Sequence, residues 1–426
     1  MPDAPAEFDA IVVADSPHRH SVLLGLTLVE RGKRVASRVG ARRVFVIETI
    51  SETAALPSWN AERGAAGLLI IRAGDQITHP PLVKPMLEGT GDRRIAVGPD
   101  GDYAGALYTS GDARDVIATL SEDPAAGDET LARAWGAEAM RYEHGPIARH
   151  RATTKQERTA ARKYLLRVLA KPAEDSPIST YIYRPLSKPL TQLLLPTPIM
   201  PNQVSYFVGV LGLFGCYLVA QPSQTALIWG AFCVFMSCVI DGVDGELSRL
   251  RLTSSWFGAW LDTVIDEITS VTFFCAIGYH TYLHHHEQWI LMTILGGLVL
   301  YLFTIYAIYY FCIVVLKSGG SQYYQGDLEI VDGPGGATLQ PRKKPPSTAP
   351  PWLQKLGVVF LWIIRRDFIN VAAWALTFAN LFEVIYGGIG AGVVVAAVII
   401  IPEHFRLRRQ LREIKQRGEP LRYVAA

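Results

Sequence analysis

Four aspartates stand in two closely spaced pairs within residues 241–266. Asp241 and Asp244 are three residues apart, and Asp262 and Asp266 are four apart. On a helix, each spacing places both members of a pair on one face. Each pair adjoins a long apolar run, where an ionised side chain costs at least about 2.5–3.5 kcal/mol. Carboxylates that converge there repel one another, so a cation must neutralise them.

Hard divalent cations suit such a group, because carboxylate oxygens are their preferred ligands and Mg²⁺ often completes its shell with substrate phosphates. Arg249 supplies one positive charge between the two pairs, which is too little for four carboxylates. Gly245 and Gly258 leave room for a ligand to approach the backbone. A metal pair beside an arginine is suited to holding a pyrophosphate. The alternative is that these acids end helices and face water, which fits one aspartate better than four.

The chain that must position these residues has a soluble front half and an apolar second half. It has 426 residues, 50% of them hydrophobic, and a net charge of +2, which is too small to indicate a nucleic-acid partner. Long apolar runs with few charges occupy residues 204–401. A bilayer core of about 30 Å needs about 20 apolar residues per spanning helix. The second half is therefore predicted to be an integral membrane domain.

Charge placement predicts six spans with both termini in the cytoplasm. The outward loops, 221–223, 280–288 and the Gly387-Gly388 turn, contain no Lys or Arg, whereas the inward segments are basic. No cleavable signal peptide is expected. The five cysteines lie in apolar runs and are interpreted as buried hydrophobes. The predicted spans are 203–220, 224–241, 258–278, 289–315, 367–385 and 387–402.

Three further segments are expected at the inner membrane surface. Residues 176–195 begin with Ser176-Pro177, a good helix start, and show an apolar face, which predicts an amphipathic helix kinked by two prolines. Residues 341–351 are Pro-rich and predict a loop. Residues 403–417 predict a basic helix that anchors the tail.

The aspartate stretch resembles the CDP-alcohol phosphotransferases, whose signature reads D-x2-D-G-x2-A-R-x8-G-x3-D-x3-D. Ser248 stands where that family has Ala, a small-for-small change from which little effect is expected. The resemblance covers residues 176–405 and implies an α-helical membrane bundle of six transmembrane helices. Seven positions are in register, namely Asp241, Asp244, Gly245, Arg249, Gly258, Asp262 and Asp266.

The resemblance also implies residue roles. Asp241, Asp244 and Asp262 would bind two ions, Mg²⁺ or Mn²⁺, with Asp266 beside the metals as the general base. The deprotonated acceptor hydroxyl would attack the phosphorus nearer the donor alcohol, and CMP would leave. The residues expected to bind the CDP group are Gly245, Arg249, Gly258 and Asn202, although Asn202 fits the start of a helix equally well.

Cations on the acceptor side are Lys317, Arg365 and Arg366, which lie at the inner ends of predicted spans. They could bind a phosphate group on the acceptor, and membrane anchoring explains them equally well. His284, His285 and His286 fall on the opposite side and are predicted to form an exposed loop.

Residues 8–110 alternate short apolar runs with helical stretches, which is typical of an α/β sheet with parallel strand order. Strands are predicted at 9–15, 42–48 and 66–75, with a helix over 23–41. The arrangement resembles nucleotidyltransferases of the sugar-nucleotide type, in which a Gly-rich loop follows the first strand. Here residues 14–21 contain no glycine, and Asp75 alone resembles the metal-binding Asp. A degenerate scaffold domain is expected, with an active cytidylyltransferase as the alternative.

Four regions follow from these patterns. They are a cytoplasmic Rossmann-like α/β domain (1–145), a linker with a juxtamembrane helix (146–200), a six-helix membrane domain (201–405) and a basic cytoplasmic tail (406–426). Residues 151–171 are interpreted as a basic connector helix.

The predicted activity is transfer of a phospho-alcohol group from a CDP-linked donor to a hydroxyl acceptor, either a lipid or an inositol phosphate. Some membrane phosphotransferases that make di-inositol phosphate carry such an N-terminal fusion, and this resemblance suggests CDP-inositol or inositol phosphate as substrates at the level of the fold. The other expected partners are membrane lipids and a second copy of the chain, in a bacterial or archaeal cytoplasmic membrane. The alternatives are a bifunctional enzyme that also makes its CDP-alcohol, an ion or proton transporter, and a non-catalytic scaffold.

Overall fold

The computed structural model divides the chain into two compact units. The first comprises Met1–Glu174, Leu193–Pro198 and Glu246–Thr253, and the second comprises Asp175–Gln192, Ile199–Gly245 and Ser254–Ala426. The residues that the structure describes are 7–136, 138–145, 147–168, 176–317, 324–333, 336–342, 350, 365–418 and 422–423.

The first unit is built on a mixed six-stranded sheet with the order β4-β1-β5-β8-β7-β9. β1 pairs in parallel with β4 and β5, β8 runs antiparallel to β5 and β7, and β9 runs parallel to β7. Two small sheets pair β6 with β10 and β2 with β3. The strands are β1 Phe8–Val13, β2 Val22–Leu23, β3 Leu26–Thr27, β4 Val44–Ile47, β5 Gly67–Arg72, β6 Gln76–Thr78, β7 Arg93–Val97, β8 Tyr103–Thr109, β9 Met140–Glu143 and β10 Arg149–Arg151.

The three predicted strands correspond to β1, β4 and β5, and their parallel order is confirmed. The prediction did not include the antiparallel β8, which makes the sheet mixed. Side chains alternate along β1, so Ile11 and Val13 enter one core and Ala10 and Val12 enter the other. Both faces of this interior strand are therefore covered, which explains its unbroken apolar run.

Helices flank this sheet, and the first of them is shorter than predicted. Residues 23–41 begin with a tight turn in which Leu24 and Gly25 have φ values of 52° and 78°. The Thr27 hydroxyl then accepts a hydrogen bond from the Glu30 N–H at 3.2 Å, which starts the helix at Leu28. The helices are α1 Leu28–Arg38, α2 Leu56–Ala61, α3 Lys84–Glu88, α4 Arg114–Glu122, α5 Gly127–Trp135 and α6 Lys155–Val168.

The rest of the described chain is mainly helical, with a small sheet made of β11 Leu328–Gly333, β12 Gly336–Pro341 and β13 Arg422–Tyr423. The helices are α7 Arg184–Leu194, α8 Pro201–Val219, α9 Gln224–Leu250, α10 Trp256–His285, α11 Gln288–Phe311, α12 Arg366–Thr377 and α13 Phe382–Gln416. A π-helical turn, Ser179–Tyr183, precedes α7, and another, Cys312–Leu316, extends α11.

Four helical segments of the described chain are long and apolar enough to cross a membrane. α10 has 30 residues but carries Asp262, Asp266 and Glu267, and α12 has only 12 residues. The predicted helical membrane domain is therefore confirmed. The described residues contain four candidate spans, two fewer than the six predicted. The four segments are Pro201–Val219, Gln224–Leu250, Gln288–Leu316 and Phe382–Gln416.

Two predicted helix boundaries are wrong. α9 does not end at Asp241 but continues through Gly245 to Leu250, because a glycine costs only about 1 kcal/mol inside a helix. The turn before the last helix lies at residues 379–381, where Asn380 adopts the left-handed conformation with φ 54°. Asparagine tolerates that conformation, whereas Gly387 and Gly388 lie inside α13.

The inner-surface segments are partly described. Residues 176–195 are helical from 177 to 194, and the Ser176 hydroxyl accepts a hydrogen bond from the Ser179 N–H at 3.0 Å, as expected at a helix start. The predicted basic helix 403–417 is the end of α13. Most of the Pro-rich segment 341–351 and the end of the connector 151–171 lie outside the described residues.

The predicted histidine loop is wrong for its first two residues. His284 and His285 form the last turn of α10, and His286 ends the helix with φ 57°. The His285 Nε2 atom lies 3.1 Å from a carboxylate oxygen of Glu383, which ties this helix end to α13.

Candidate active site

The two aspartate pairs meet between α9 and α10. Carboxylate oxygens of Asp241, Asp244 and Asp262 all lie within 4.8 Å of one another. Asp241 and Asp244 share one face of α9 because they are three residues apart. An all-oxygen set at this separation can hold a hard divalent cation. The acid cluster, defined as Asp241, Asp244, Asp262 and Asp266, is thus the candidate metal centre.

Small residues on α8 allow both aspartate-bearing helices to approach closely. A Cβ atom at Gly212 would lie 2.8 Å from Thr269 Cγ2 of α10, and one at Gly215 would lie 2.7 Å from the carbonyl oxygen of Gly230 on α9. Only glycine fits at these contacts. α8 therefore holds α9 and α10 near one another, and this packing lets their aspartates converge.

The start of α10 positions its pair of aspartates. The Ser255 hydroxyl accepts a hydrogen bond from the Gly258 N–H at 3.0 Å and caps the helix. Asp262 and Asp266 follow on one face of that helix. A Cβ atom at Gly258 would lie 3.1 Å from Asn202 Oδ1, so the two residues predicted to bind CDP are neighbours.

A buried serine, which the sequence analysis did not single out, contacts the cluster. The Ser205 hydroxyl on α8 donates a hydrogen bond to Asp244 Oδ2, and both residues are buried. This bond orients one carboxylate and satisfies part of its hydrogen-bonding capacity. A polar residue within an otherwise apolar helix was the available signal, because such residues in membrane helices usually face the bundle interior.

Arg366, the first residue of α12, is a counter-ion of the cluster. Its Nη2 atom lies 3.3 Å from Asp241 Oδ2, and its Nη1 atom forms an ion pair with Asp266 Oδ1. Arg366 carries one positive charge against four carboxylates, so a divalent cation fits the remaining imbalance. The predicted phosphate-binding arginine thus also bridges two members of the metal centre.

A cavity of about 330 Å³ lies beside Asp241. Two of the three predicted acceptor-side cations, Arg365 and Arg366, line it. Lys317 is exposed, has φ 52° after the Cys312–Leu316 turn, and is not among the described residues that line this cavity. The wall also contains Tyr183, Arg184, Ser187, Gly242 and Asp367.

Asp367 organises one wall of this cavity. Its Oδ1 atom lies 3.5 Å from Arg365 Nε, its Oδ2 atom accepts a hydrogen bond from the Ser179 hydroxyl at 3.3 Å, and its carbonyl oxygen accepts one from the Tyr183 hydroxyl at 2.8 Å. The Ser176 hydroxyl donates to the same carboxylate. The turn before α7 is therefore fixed against the start of α12, and the cavity has a defined polar wall.

In the first unit, the residues that resemble a nucleotidyltransferase site make contacts within the protein. Asp75 Oδ2 lies 3.1 Å from Arg72 Nη2, so an arginine neutralises it. In the segment 14–21, Arg19 and His20 each lie 3.4 Å from Glu48. Neither feature forms a phosphate-binding loop with a metal-binding acid.

The long apolar helices and the acid cluster define an integral membrane protein with a candidate divalent-metal centre. Residues 198–332 match the CDP-alcohol phosphatidyltransferase family model. This part of the chain is therefore a CDP-alcohol phosphatidyltransferase domain, and the match is narrower than the predicted 176–405.

Several curated proteins are similar over part of the chain. The bifunctional IPC transferase and DIPP synthase of Aquifex aeolicus is 32% identical over 127 residues, and that of Thermococcus kodakarensis is 28% identical over 128 residues. Each match covers 30% of this chain and 28% of the relative, so the chain matches less than a third of their length. The phosphatidylinositol phosphate synthase of Corynebacterium glutamicum is 24% identical over 205 residues, which are 48% of this chain and 83% of that protein.

Among solved structures, the Mycobacterium tuberculosis phosphatidylinositol phosphate synthase with CDP-DAG bound aligns with a TM-score of 0.33 and 17% identity. The alignment covers 52% of this chain and 91% of that one.

Proposed function

We propose that this chain transfers a phospho-alcohol group from a CDP-linked donor to a hydroxyl acceptor and releases CMP. The observation that carries the proposal is the meeting of Asp241, Asp244 and Asp262 within 4.8 Å, in the order of the family signature. The matched family model and the synthases among the relatives support the same reaction class.

The metal centre is assigned to the acid cluster. Asp241, Asp244 and Asp262 would hold two ions, Mg²⁺ or Mn²⁺, with Asp266 beside them. When bound, these ions neutralise charge on the donor pyrophosphate. The bridge from Arg366 to Asp241 and Asp266 keeps both carboxylates turned toward the same point.

Asp266 is assigned as the general base. It takes the proton of the acceptor hydroxyl, and that oxygen forms a bond to the donor phosphorus that carries the alcohol. The bond from this phosphorus to the bridging oxygen breaks, and CMP leaves with that oxygen. Arg366 orients the Asp266 carboxylate before the proton moves, since its guanidinium is paired with Asp266 Oδ1.

Donor and acceptor are assigned to different parts of the site. Asn202, Gly245, Arg249 and Gly258 would bind the CDP group, and the neighbouring positions of Asn202 and Gly258 support this role. The cavity beside Asp241 would hold the acceptor, with Arg365 and Arg366 binding its phosphate. Lys317 stays a prediction on the acceptor side.

The substrate class that we infer is an inositol phosphate acceptor with a CDP-alcohol donor. The cavity of about 330 Å³ has room for a small phosphorylated ring. Relatives named as DIPP synthases and as a phosphatidylinositol phosphate synthase are consistent with this choice.

We further propose that α8–α13 form six membrane crossings, with both termini in the cytoplasm of a bacterium or archaeon. The absence of Lys and Arg from residues 221–223, 280–288 and the turn at 379–381 supports this orientation. The proposed divisions are 1–145, 146–200, 201–405 and 406–426, and two copies of the chain would form a dimer.

A bifunctional enzyme is the second candidate, because two relatives are named as bifunctional. The glycine-free segment 14–21 and the pairing of Asp75 with Arg72 favour a first unit without cytidylyltransferase chemistry.

The test is to incubate the purified full chain with Mg²⁺ and a panel of CDP-linked donors and hydroxyl acceptors, while measuring CMP release and product mass. CMP release that requires both substrates and Mg²⁺ is the expected result. No CMP from any pair would overturn the transferase, and ion flux into liposomes without CMP would favour a transporter.

A further inference from the structure

A second large cavity lies within the second unit, between α10, α11 and α13. Its volume is about 720 Å³, within the range of small-molecule sites, and we call it the apolar cavity. On α10 its lining begins at Phe274, about two helical turns beyond Asp266. None of the described residues that line it belongs to the acid cluster or to the cavity beside Asp241. It is therefore a separate site, near the helix ends remote from the aspartates.

Glycines leave the space of the apolar cavity open. Gly296 on α11 and Gly387 on α13 both line it, and a Cβ atom built at either residue would meet no neighbouring atom within 4 Å. Neither glycine has a positive φ. Helix packing and backbone conformation therefore do not require glycine here, although glycine is less favourable than alanine inside a helix. What the two glycines provide is volume within the cavity.

The walls of the apolar cavity are packed against one another. A Cβ atom at Gly297 would lie 2.6 Å from Phe274 Cζ, so the missing side chain admits this buried ring. The rings of Phe274 and Tyr386 stack with centroids 5.7 Å apart, and the Tyr386 hydroxyl lies 2.7 Å from Thr293 Oγ1. These contacts join α10, α11 and α13. The cavity is thus formed by the protein itself, as ligand sites usually are.

The depth of the apolar cavity matches one leaflet of a bilayer. Its lining runs from Trp289 to Leu300 on α11 and from Glu383 to Val394 on α13, and each stretch rises about 16 Å at 1.5 Å per residue. A bilayer core measures about 30 Å, so one leaflet measures about 15 Å. Exposed Trp289 stands at the start of α11, and tryptophans are enriched at the level of the head groups. An acyl chain that enters at this level matches the cavity in length and polarity.

An unpaired carboxylate lies at the mouth of the apolar cavity. Glu383 is paired with His285 at 3.1 Å. Glu287, the residue before α11, is exposed and makes no capping hydrogen bond, and no ion pair involves it among the described residues. No Lys or Arg occurs among the described residues that line the cavity. The mouth therefore offers a partner to a cationic head group and none to an anionic one.

From these observations we propose that the apolar cavity binds a membrane lipid whose head group carries an ammonium group. One acyl chain fills the space between α11 and α13, and the Glu287 carboxylate contacts the ammonium. The lipid belongs to the leaflet opposite the acid cluster. It is therefore distinct from any lipid substrate of the candidate active site, and the inference does not depend on the transferase reaction.

Photolabelling of the full chain in nanodiscs made of phosphatidylglycerol tests the proposal. Trace phosphatidylethanolamine and phosphatidylglycerol probes carry the same diazirine-bearing acyl chain, and mass spectrometry identifies the labelled peptides. The exposed apolar face of α8 at 206–217 gives the reference for bulk lipid. We expect the phosphatidylethanolamine probe to label 289–300 and 383–394 above this reference, at least about threefold more than the other probe. Equal labelling by both probes, or labelling no higher than the reference, would overturn the proposal.

Filling the apolar cavity should displace the acyl chain. Gly387→Leu is expected to lower the labelling of 289–300 by at least about fivefold, because its side chain occupies the cavity. The matched control is Gly388→Leu, since a Cβ atom at Gly388 also meets no atom within 4 Å but this residue does not line the cavity. Gly296→Leu fills the same space from α11 and covers misfolding of the first variant. Unchanged labelling in both cavity variants would place the lipid elsewhere and reject the site.

A charge variant tests the contact with the head group. Glu287→Gln should reduce the preference for the phosphatidylethanolamine probe by about two- to fivefold, the usual worth of an exposed ion pair. Glu413→Gln is its control, because Glu413 pairs with Arg417 at the far end of α13. An unchanged preference in Glu287→Gln would reject the head-group assignment.

Light scattering tests the competing occupant, a second copy of the chain. A dimer that dissociates in Gly387→Leu while labelling stays unchanged would show that a second copy covers the cavity, and it would overturn the lipid assignment.

Discussion

The acid cluster of the second unit and the acid–arginine groups of the first unit differ in their charge balance. In the acid cluster, the Asp241, Asp244 and Asp262 oxygens meet within 4.8 Å, and Arg366 bridges only Asp241 and Asp266. In the first unit, buried Asp9 lies 3.0 Å from Arg42 and 2.7 Å from Arg43. Buried charge of one sign without its partner is costly. The excess of carboxylates therefore indicates a cationic ligand for the cluster, whereas the paired groups of the first unit need none.

The same comparison separates arginines at the candidate active site from arginines that only support the fold. Arg72 contacts three acids, and Arg366 bridges two aspartates. Arg366 also lines the cavity beside Asp241, where a ligand can reach it. The following predictions test this distinction, beginning with the largest expected effect.

Removing one charge from the acid cluster should abolish turnover. Asp262→Asn and Asp266→Asn are each expected to lower CMP release at least about 10³-fold, because they remove a metal ligand or the base. CMP release with saturating Mg²⁺ measures the loss, and circular dichroism checks the fold. Glu383→Gln is the matched control, since this carboxylate pairs with His285 at 3.1 Å instead. Full turnover in both aspartate variants would remove the mechanism.

Metal removal should stop the reaction. Chelation by EDTA is expected to bring CMP release to background, and added Mg²⁺ should restore it, because the acid cluster then regains its neutralising cations. Turnover that survives exhaustive chelation would show that the cluster works without a divalent ion.

Arg366→Gln tests the bridging role and should cost about 10–100-fold in CMP release. The substitution removes the guanidinium that joins Asp241 and Asp266. Arg365→Gln should cost less, because Arg365 is half exposed and pairs with Asp367 at 3.5 Å. Steady-state kinetics with donor and acceptor varied separately are the measurement. A larger loss in Arg365→Gln would reverse this assignment of the two arginines.

The pairing of Asp9 with two arginines in the first unit should affect stability and not turnover. Buried Asp9 lies 3.0 Å from Arg42 Nε and 2.7 Å from Arg43 Nη2. Burial alone would raise the pKa of Asp9, but hydrogen bonds from both arginines outweigh it and hold that pKa below its usual value. The stabilisation is therefore complete above the unfolded pKa of about 3.9 and is lost as pH falls through the lower folded value.

Asp9→Asn should accordingly lower the Tm of the first unit by about 3–6 °C at neutral pH. The difference from the unmodified chain should shrink as the pH is lowered below 3. Thermal unfolding followed by circular dichroism measures both effects. A loss of CMP release in Asp9→Asn at a temperature where the chain stays folded would contradict the separation of supporting arginines from those at the candidate active site.

The smallest effect is expected at the signature position that departs from the family. Ser248→Ala restores the family residue and should change CMP release by less than about twofold, because both side chains are small and neither is ionised. A loss of tenfold or more would show that the serine has a role specific to this chain. The same assay used for the aspartate variants provides the comparison.

Local patterns in the sequence were sufficient for several features of the fold. The run DAIVVAD predicted a buried parallel strand, and β1 pairs in parallel with β4 on one side and β5 on the other. The apolar runs predicted membrane helices, and four described segments have the length and composition to cross. The spacing of Asp241, Asp244, Asp262 and Asp266 placed each pair on one helix face.

The ends of helices were less predictable from the sequence, because a glycine or an asparagine ends a helix in some surroundings and not in others. Gly245 was expected to end a helix that in fact continues to Leu250, and Asn380, not Gly387-Gly388, forms the turn before α13. A glycine costs a helix only about 1 kcal/mol, so packing of the neighbouring turns decides whether the helix continues.

The sequence alone determined which residues can carry the chemistry and how each short segment folds, since both depend on residue type and on periods of two to four residues. Only the tertiary structure decided that Arg366, 125 residues after Asp241, reaches its carboxylate, that Ser205 donates to Asp244, and that arginines from separate elements line one cavity. Such contacts join elements that are distant along the chain. Their geometry follows from close packing of helices and strands, which local periodicity does not encode.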